Sequence, residues 1–197
     1  MAVEEQFAVE SRAGWHAWLD AHHATSRGVW TVTWKRRSGG PYVPYDDLVE
    51  EALCFGWVDS LGRTLDERRW QLLMTPRKVG SGWSRPNKER IERLTAAGLM
   101  APAGAAVVAA AQADGSWSSL DAVEDLIEPD DLRAALDASP DARRHWDDFP
   151  RSAKRGILEW IMQAKRDETR ARRIRDTAEQ AARNERANQW RGPRRPA

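Results

Sequence analysis

YDDLVEEALCFGWVDS (residues 45–60) and LLMTPRKVGSGWSRPNKERI (residues 72–91) decide the fold of this chain. In the first, Leu48, Val49, Ala52, Leu53 and Phe55 form a broad apolar face at helical spacing, so residues 46–55 read as a helix. Gly56 is its stop, because glycine tolerates the left-handed conformation a helix end adopts. Val58 to Leu65 and Arg69 to Thr75 then read as a strand pair around Asp66-Glu67. In the second of these, Trp70, Leu72 and Met74 alternate with Gln71, Leu73 and Thr75. Pro76 ends it, having no N–H to donate to a ladder. After the loop Arg77 to Trp83, Ser84 reads as a cap and Pro86 lies in the first turn of a helix through Ala97, closed by Gly98.

Working towards the N-terminus, residues 29–36 (VWTVTWKR) alternate: Trp30, Val32 and Trp34 share one face, Thr31, Thr33 and Lys35 the other. That pattern predicts a strand buried on its tryptophan face. Upstream, Ser11 is a suitable N-cap, and Trp15, Trp18, Leu19 and His22 recur at helical spacing, which predicts a helix over 12–22. Towards the C-terminus, Pro102 opens an alanine-rich helix closed by Gly115. Residues 1–115 therefore read as an α+β domain around a small, mainly antiparallel sheet with flanking helices.

Beyond Ser116 no strand pattern appears. Helices are expected near 129–139, 140–149, 152–165 and 168–190, so residues 116–190 read as an all-helical C-terminal region. The last helix has few large apolar residues, which assigns part of its support to charge pairs. Residues 191–197 end in GPRRPA and read as a disordered tail.

The 197 residues carry a net charge of +1, distributed in blocks: −5 over residues 1–67, +6 over 68–95, −8 over 114–149 and +8 over 151–197. Either these blocks neutralise one another in the fold or a basic surface awaits an anionic partner. The near-zero total favours the first, because strong nucleic-acid binders are usually basic overall. The residues at the start are acidic where a signal peptide is basic, and no apolar run approaches the ~20 residues of a membrane span, so no membrane insertion is expected. The single cysteine, Cys54, suits a reducing compartment; a cytoplasmic location is the expectation.

The run EWIMQAKRDETRARRI (residues 159–174) resembles the YdeI or OmpD-associated family (OmdA), also called bacteriocin-protection proteins. HHATSRGVW (22–30), YDDLVEEALCFGWVDS (45–60), LLMTPRK (72–78) and WSRPNKERIERL (83–94) extend that resemblance over about Trp15 to Ala178. The resemblance implies a stress or antimicrobial-protection role and association with an outer-membrane porin. It brings no catalytic residues and no cofactor.

Eleven tryptophans are several times ordinary usage. Trp15, Trp18, Trp30, Trp34, Trp70 and Trp160 fall on apolar faces and read as core. Trp57 and Trp83 stand beside glycines at element boundaries, where an indole either anchors the core or lines a groove for a ring or cation. Around them, Thr75, Arg77, Lys78, Ser84, Arg85, Asn87 and Lys88 form a polar constellation with cationic donors at a helix start, suited to an anion. Antiparallel pairing of the hairpin sets Trp57 and Asp59 beside Thr75 and Arg77. The candidate ligand-binding residues are therefore Trp57, Asp59, Thr75, Arg77, Trp83, Ser84 and Asn87.

Catalytic and metal patterns are weak. His22 and His23 are adjacent and lack metal-ligand spacing, so neither a metal nor a cofactor is expected. Cys54 lies in an apolar helix, and Glu51, Cys54 and Asp59 make an active site only if folding gathers them. The residues thus favour a non-enzymatic protein that binds a protein partner or a small anion. A nucleic-acid-binding module using the basic loop 77–88 and the basic last helix is the alternative, and an enzyme of unknown reaction the third.

Overall fold

The computed structural model describes residues 3–188; the expected tail at 191–197 and the end of the last expected helix lie outside them. The chain divides into two compact units, residues 1–119 and 120–197.

The first unit carries β1 (Gln6–Ala8), α1 (Arg12–His22), β2 (Val29–Trp34), α2 (Tyr45–Cys54), β3 (Trp57–Thr64), β4 (Arg69–Pro76), α3 (Arg85–Ala96) and α4 (Pro102–Ala113). It is α+β, with one four-stranded sheet in the order β1-β2-β4-β3. β1 pairs with β2 in parallel and the other two pairings are antiparallel. Ser11 caps α1, its Oγ accepting from Gly14 N at 3.0 Å, so that Trp15, Trp18 and Leu19 face inward. Trp15 stacks on Trp18 at 5.3 Å and donates from Nε1 to Leu48 O at 3.0 Å, which joins α1 to α2.

β2 departs from the expected pattern. Both of its faces are buried, and the side chains of Thr31 and Thr33 are fully enclosed. The register explains it: Thr31 lies opposite Leu72 and Val29 opposite Met74, and Val29, Leu72 and Met74 belong to the main core. The threonine face is thus the core face, tolerated because Thr31 Oγ1 donates to Leu72 O at 2.9 Å. The tryptophan face is shielded instead by polar chains, with the Arg63 guanidinium 4.2 Å above the Trp30 ring.

The second unit is helical: α5 (Asp121–Glu124), α6 (Asp130–Asp137), α7 (Pro140–Asp148), α8 (Arg151–Met162) and α9 (Asp167–Ala182). Leu132, Leu136, Trp146, Ile157 and Ile161 form its core. α9 stops at Ala182, short of the expected 190, because Asn184 turns left-handed (φ 56°) and Glu185 N donates back to Gln180 O at 2.8 Å. The acidic and basic blocks of this unit do meet. Arg170 grips Asp131 with two hydrogen bonds of 2.8 and 2.9 Å, and Arg155 pairs with Glu124 at 2.9 Å. Among the described residues no helix is long and apolar enough to cross a membrane.

Glu128 is the hub of this unit. It takes a forked pair of hydrogen bonds from Arg143 at 2.7 and 2.8 Å and accepts from Trp146 Nε1 at 2.7 Å. The Arg143 hydrogen bonds outweigh the opposing effect of burial and hold its carboxyl below the usual range. A lowered folded pKa stabilises above the unfolded value and loses that contribution as pH falls through the folded value. Acidification from about pH 5 to pH 3 should therefore weaken this unit. Urea midpoints read by tryptophan fluorescence should fall less steeply with acid in a Glu128→Gln variant than in the wild type.

Candidate functional site

The loop from Arg77 to Trp83 separates two hollows in the first unit. On one side is a groove of about 700 Å³ lined by residues 24–27 and by Val58, Ser60, Thr75, Pro76, Lys78 and Ser81. On the other is a small cavity of about 60 Å³ whose walls include Arg77, Ser81, Trp83, Val107, Ala111 and Ser116.

The groove is built by strand pairing. β3 and β4 bring Val58 opposite Thr75, and the α1–β2 connection folds over the same end of the sheet. Gly28 permits that approach: its φ is +146°, and a Cβ there would sit 2.9 Å from Thr75 Cγ2 and 3.0 Å from Met74 O. Three of the stretches that carry the family resemblance, 22–30, 45–60 and 72–78, therefore meet here. Hydroxyls of Thr25, Ser26, Ser60, Thr75 and Ser81 line the groove together with the exposed cations Arg27 and Lys78. Among the described residues neither cation makes an ion pair or a side-chain hydrogen bond.

Arg77 is placed differently. Its backbone N–H donates to Gly56 O at 3.0 Å, which fixes the start of the loop. Its guanidinium lies 3.7 Å over the Trp83 ring and donates from Nη2 to Gly82 O. Burial pushes its pKa down to about 10, partly offset by the Asp59 carboxylate. No ion pair with Asp59 forms; Asp59 Oδ2 accepts from Tyr45 Oη at 2.7 Å instead.

The expected surface of two tryptophans does not exist. Trp57 and Trp83 are each 1% exposed and belong to the core cluster. Trp57 packs edge-on to Trp18 at 5.8 Å and donates to His23 O at 3.3 Å. Trp83 meets Trp117 at 5.0 Å. Both are bulky indoles at element ends, where the helices close over the sheet, and packing claims them. Ser84 occupies the N-cap of α3 without a side-chain capping bond, and Asn87 Oδ1 accepts from Arg90 Nη1 at 3.0 Å. Of the seven expected residues, Thr75 lines the groove, while Arg77 and Trp83 border the small cavity.

Thr25, Ser26 and Arg27 were outside the expected set. The signal available was three consecutive hydrogen-bonding residues ahead of a glycine, in a stretch that otherwise reads as a connection.

Glu51, Cys54 and Asp59 are each engaged elsewhere. Glu51 binds Arg12 Nε at 2.5 Å and His16 Nδ1 at 2.7 Å. Cys54 is 1% exposed, and burial, then the Glu51 charge, push its thiol up to about 11, far from a nucleophilic thiolate at neutral pH.

Residues 125–184 match the family model described as Bacteriocin-protection, YdeI or OmpD-Associated, and residues 7–107, just over half of the chain, match one described as Domain of unknown function (DUF8412). The resemblance seen over Trp15 to Ala178 is thus shared between two family models, and the YdeI/OmpD-associated one covers its C-terminal part. No curated protein and no solved structure matches the chain. The match over residues 7–107 makes this chain a member of the DUF8412 family, with a YdeI/OmpD-associated match over residues 125–184 behind that domain.

Proposed function

We propose that the first unit is a non-enzymatic binding module for a small phosphate- or sulfate-bearing ligand, held in the groove between the 24–27 connection and the end of the β3–β4 hairpin. The observation that carries this reading is the pair Arg27 and Lys78. Two cations from distant parts of the sequence flank one hydroxyl-lined groove, and no carboxylate among the described residues neutralises them. Ala24, Val58 and Pro76 supply apolar wall, and the volume of about 700 Å³ lies in the range of small-molecule sites. A protective role in the cytoplasm, against bacteriocins as the description matched by residues 125–184 words it, is compatible with capture of an anionic compound without turnover.

Nucleic acid is the weaker reading. Arg77 is stacked and half-buried, and Arg90 is bound to Asp46 at 2.6 Å. On α9, Arg170 is held by Asp131 and Arg173 by Trp160 O. These cations are already occupied within the fold.

Isothermal titration with pyrophosphate and with a sulfated aryl compound, at low and moderate salt, tests the proposal. Binding should weaken about tenfold or more in Arg27→Gln and in Lys78→Gln, each removing one charge-assisted contact. Equal affinity in wild type and both variants, or no binding at low ionic strength, would sink it.

A further inference from the structure

The small cavity on the inner side of the Arg77–Trp83 loop poses a chemical problem of its own. Two of its lining residues leave buried polar atoms without a hydrogen-bond partner among the described residues: Arg77 Nε and Ser116 Oγ. Ser116 is 7% exposed. Its hydroxyl lies close enough to the Asp114 carboxylate to be the main cause of that group's lowered pKa, yet it makes no hydrogen bond of ordinary geometry. Buried polar groups in folded proteins are nearly always satisfied, and a charged one is the most costly to leave bare.

The rest of the lining narrows what can satisfy them. Val107, Ala110, Ala111 and Trp83 give an apolar wall. The Arg77 guanidinium has a carbonyl and a ring face for company but no carboxylate in ion-pair contact. Asp114 closes the rim, accepting from Ser116 N at 2.8 Å. The charges lining the cavity are Arg77, Lys78 and Asp114, a net of one positive charge. A volume of about 60 Å³ is several times the ~10–15 Å³ that one water requires. A water could accept from Arg77 and donate towards Asp114, but it would leave the Arg77 charge unneutralised.

We propose that this cavity is a binding site for a small monovalent anion of halide, formate or bicarbonate size. The anion accepts from the Nε–H of Arg77 and the O–H of Ser116, and Asp114 at the rim disfavours dianions. Nothing in the groove reading requires this site. The two share the loop that carries Lys78 and Ser81, so an anion in the cavity would also stiffen one wall of the groove.

Bromide is the probe. Crystals of the full chain soaked in sodium bromide should show an anomalous peak between Arg77 and Ser116. In solution, chloride should raise the melting temperature above that in an equal ionic strength of sodium gluconate, whose anion is too large for the cavity. Ser116→Ala, a mild truncation, should raise the chloride concentration needed for half the effect about tenfold or more. Asp114→Asn should lower it, since a competing negative charge is gone. Arg27→Gln should leave it unchanged, which separates this site from the groove. Ordered water without anomalous signal, or chloride stabilisation identical in wild type and Ser116→Ala, overturns the proposal.

Discussion

Trp83→Ala is expected to destabilise the first unit by about 3–5 kcal/mol, the range for deleting a buried aromatic side chain. Trp83 is 1% exposed, packs on Trp117 at 5.0 Å and supports the Arg77 guanidinium at 3.7 Å. Alanine leaves a cavity beneath the loop and removes the ring face that compensates a half-buried charge. The expected readout is a large drop in the urea midpoint with little change in the slope of the transition. A surface indole in a ligand groove would behave in the opposite way: near-wild-type stability and lost ligand binding. A shift in stability of less than about 1 kcal/mol would therefore return Trp83 to the surface and remove the core reading.

The same residue shows where sequence reading stops. Helix 12–22 was legible to the residue, because a serine cap and tryptophans at helical spacing are both local signals. The hairpin was legible for the same reason, its alternation and its Asp66-Glu67 turn lying within twenty residues. Which face of β2 is buried was not. Alternation shows that two faces differ, but tryptophan is more apolar than threonine, so Trp30, Val32 and Trp34 read as core. The helices cover the threonine face instead, and the tryptophan face is finished by Arg63 and its buried partner Gln71. β1 and α5 are too short, at three and four residues, to show a period at all.

The site followed the same division. That Trp57 and Asp59 lie beside Thr75 and Arg77 was expected from a local hairpin, and the register sets Val58 opposite Thr75 and Trp57 opposite Pro76. That residues 24–27 join them depends on β2 pairing with β4 rather than with β3, a choice made by long-range packing. The connection carrying Thr25, Ser26 and Arg27 has no period and no motif, so only the assembled sheet shows its donors facing Lys78. The tryptophans misled for a related reason. Position beside a glycine marks an element boundary, and a boundary is as often a place where the core closes as one where it opens.

Gly104→Ala is expected to be strongly destabilising, against the usual rule. In the interior of a helix alanine is worth about 0.5–1 kcal/mol more than glycine. Gly104 lies in the first turns of α4, where that helix crosses the end of α2. A Cβ built there would sit 2.1 Å from Cys54 O and 2.6 Å from its carbonyl carbon, both backbone atoms that cannot rotate away. Ala101 N donates to the same Cys54 O at 3.1 Å, so α4 cannot lift off without losing that bond. It also cannot slide, since Val107 Cγ2 lies 2.7 Å from where a Cβ on Gly56 would be, in the next turn of the same contact. Overpacking of this kind costs about 1–3 kcal/mol, and the upper end is expected here because backbone rather than side chain must move. α4 supplies Val107 and Ala111 to the small cavity, so Gly104→Ala should also abolish chloride-dependent stabilisation while sparing the unfolding transition of the helical second unit. Thermal unfolding followed separately by the fluorescence of each unit's tryptophans checks this. A variant as stable as the wild type would mean that α2 and α4 are not in contact at this crossing.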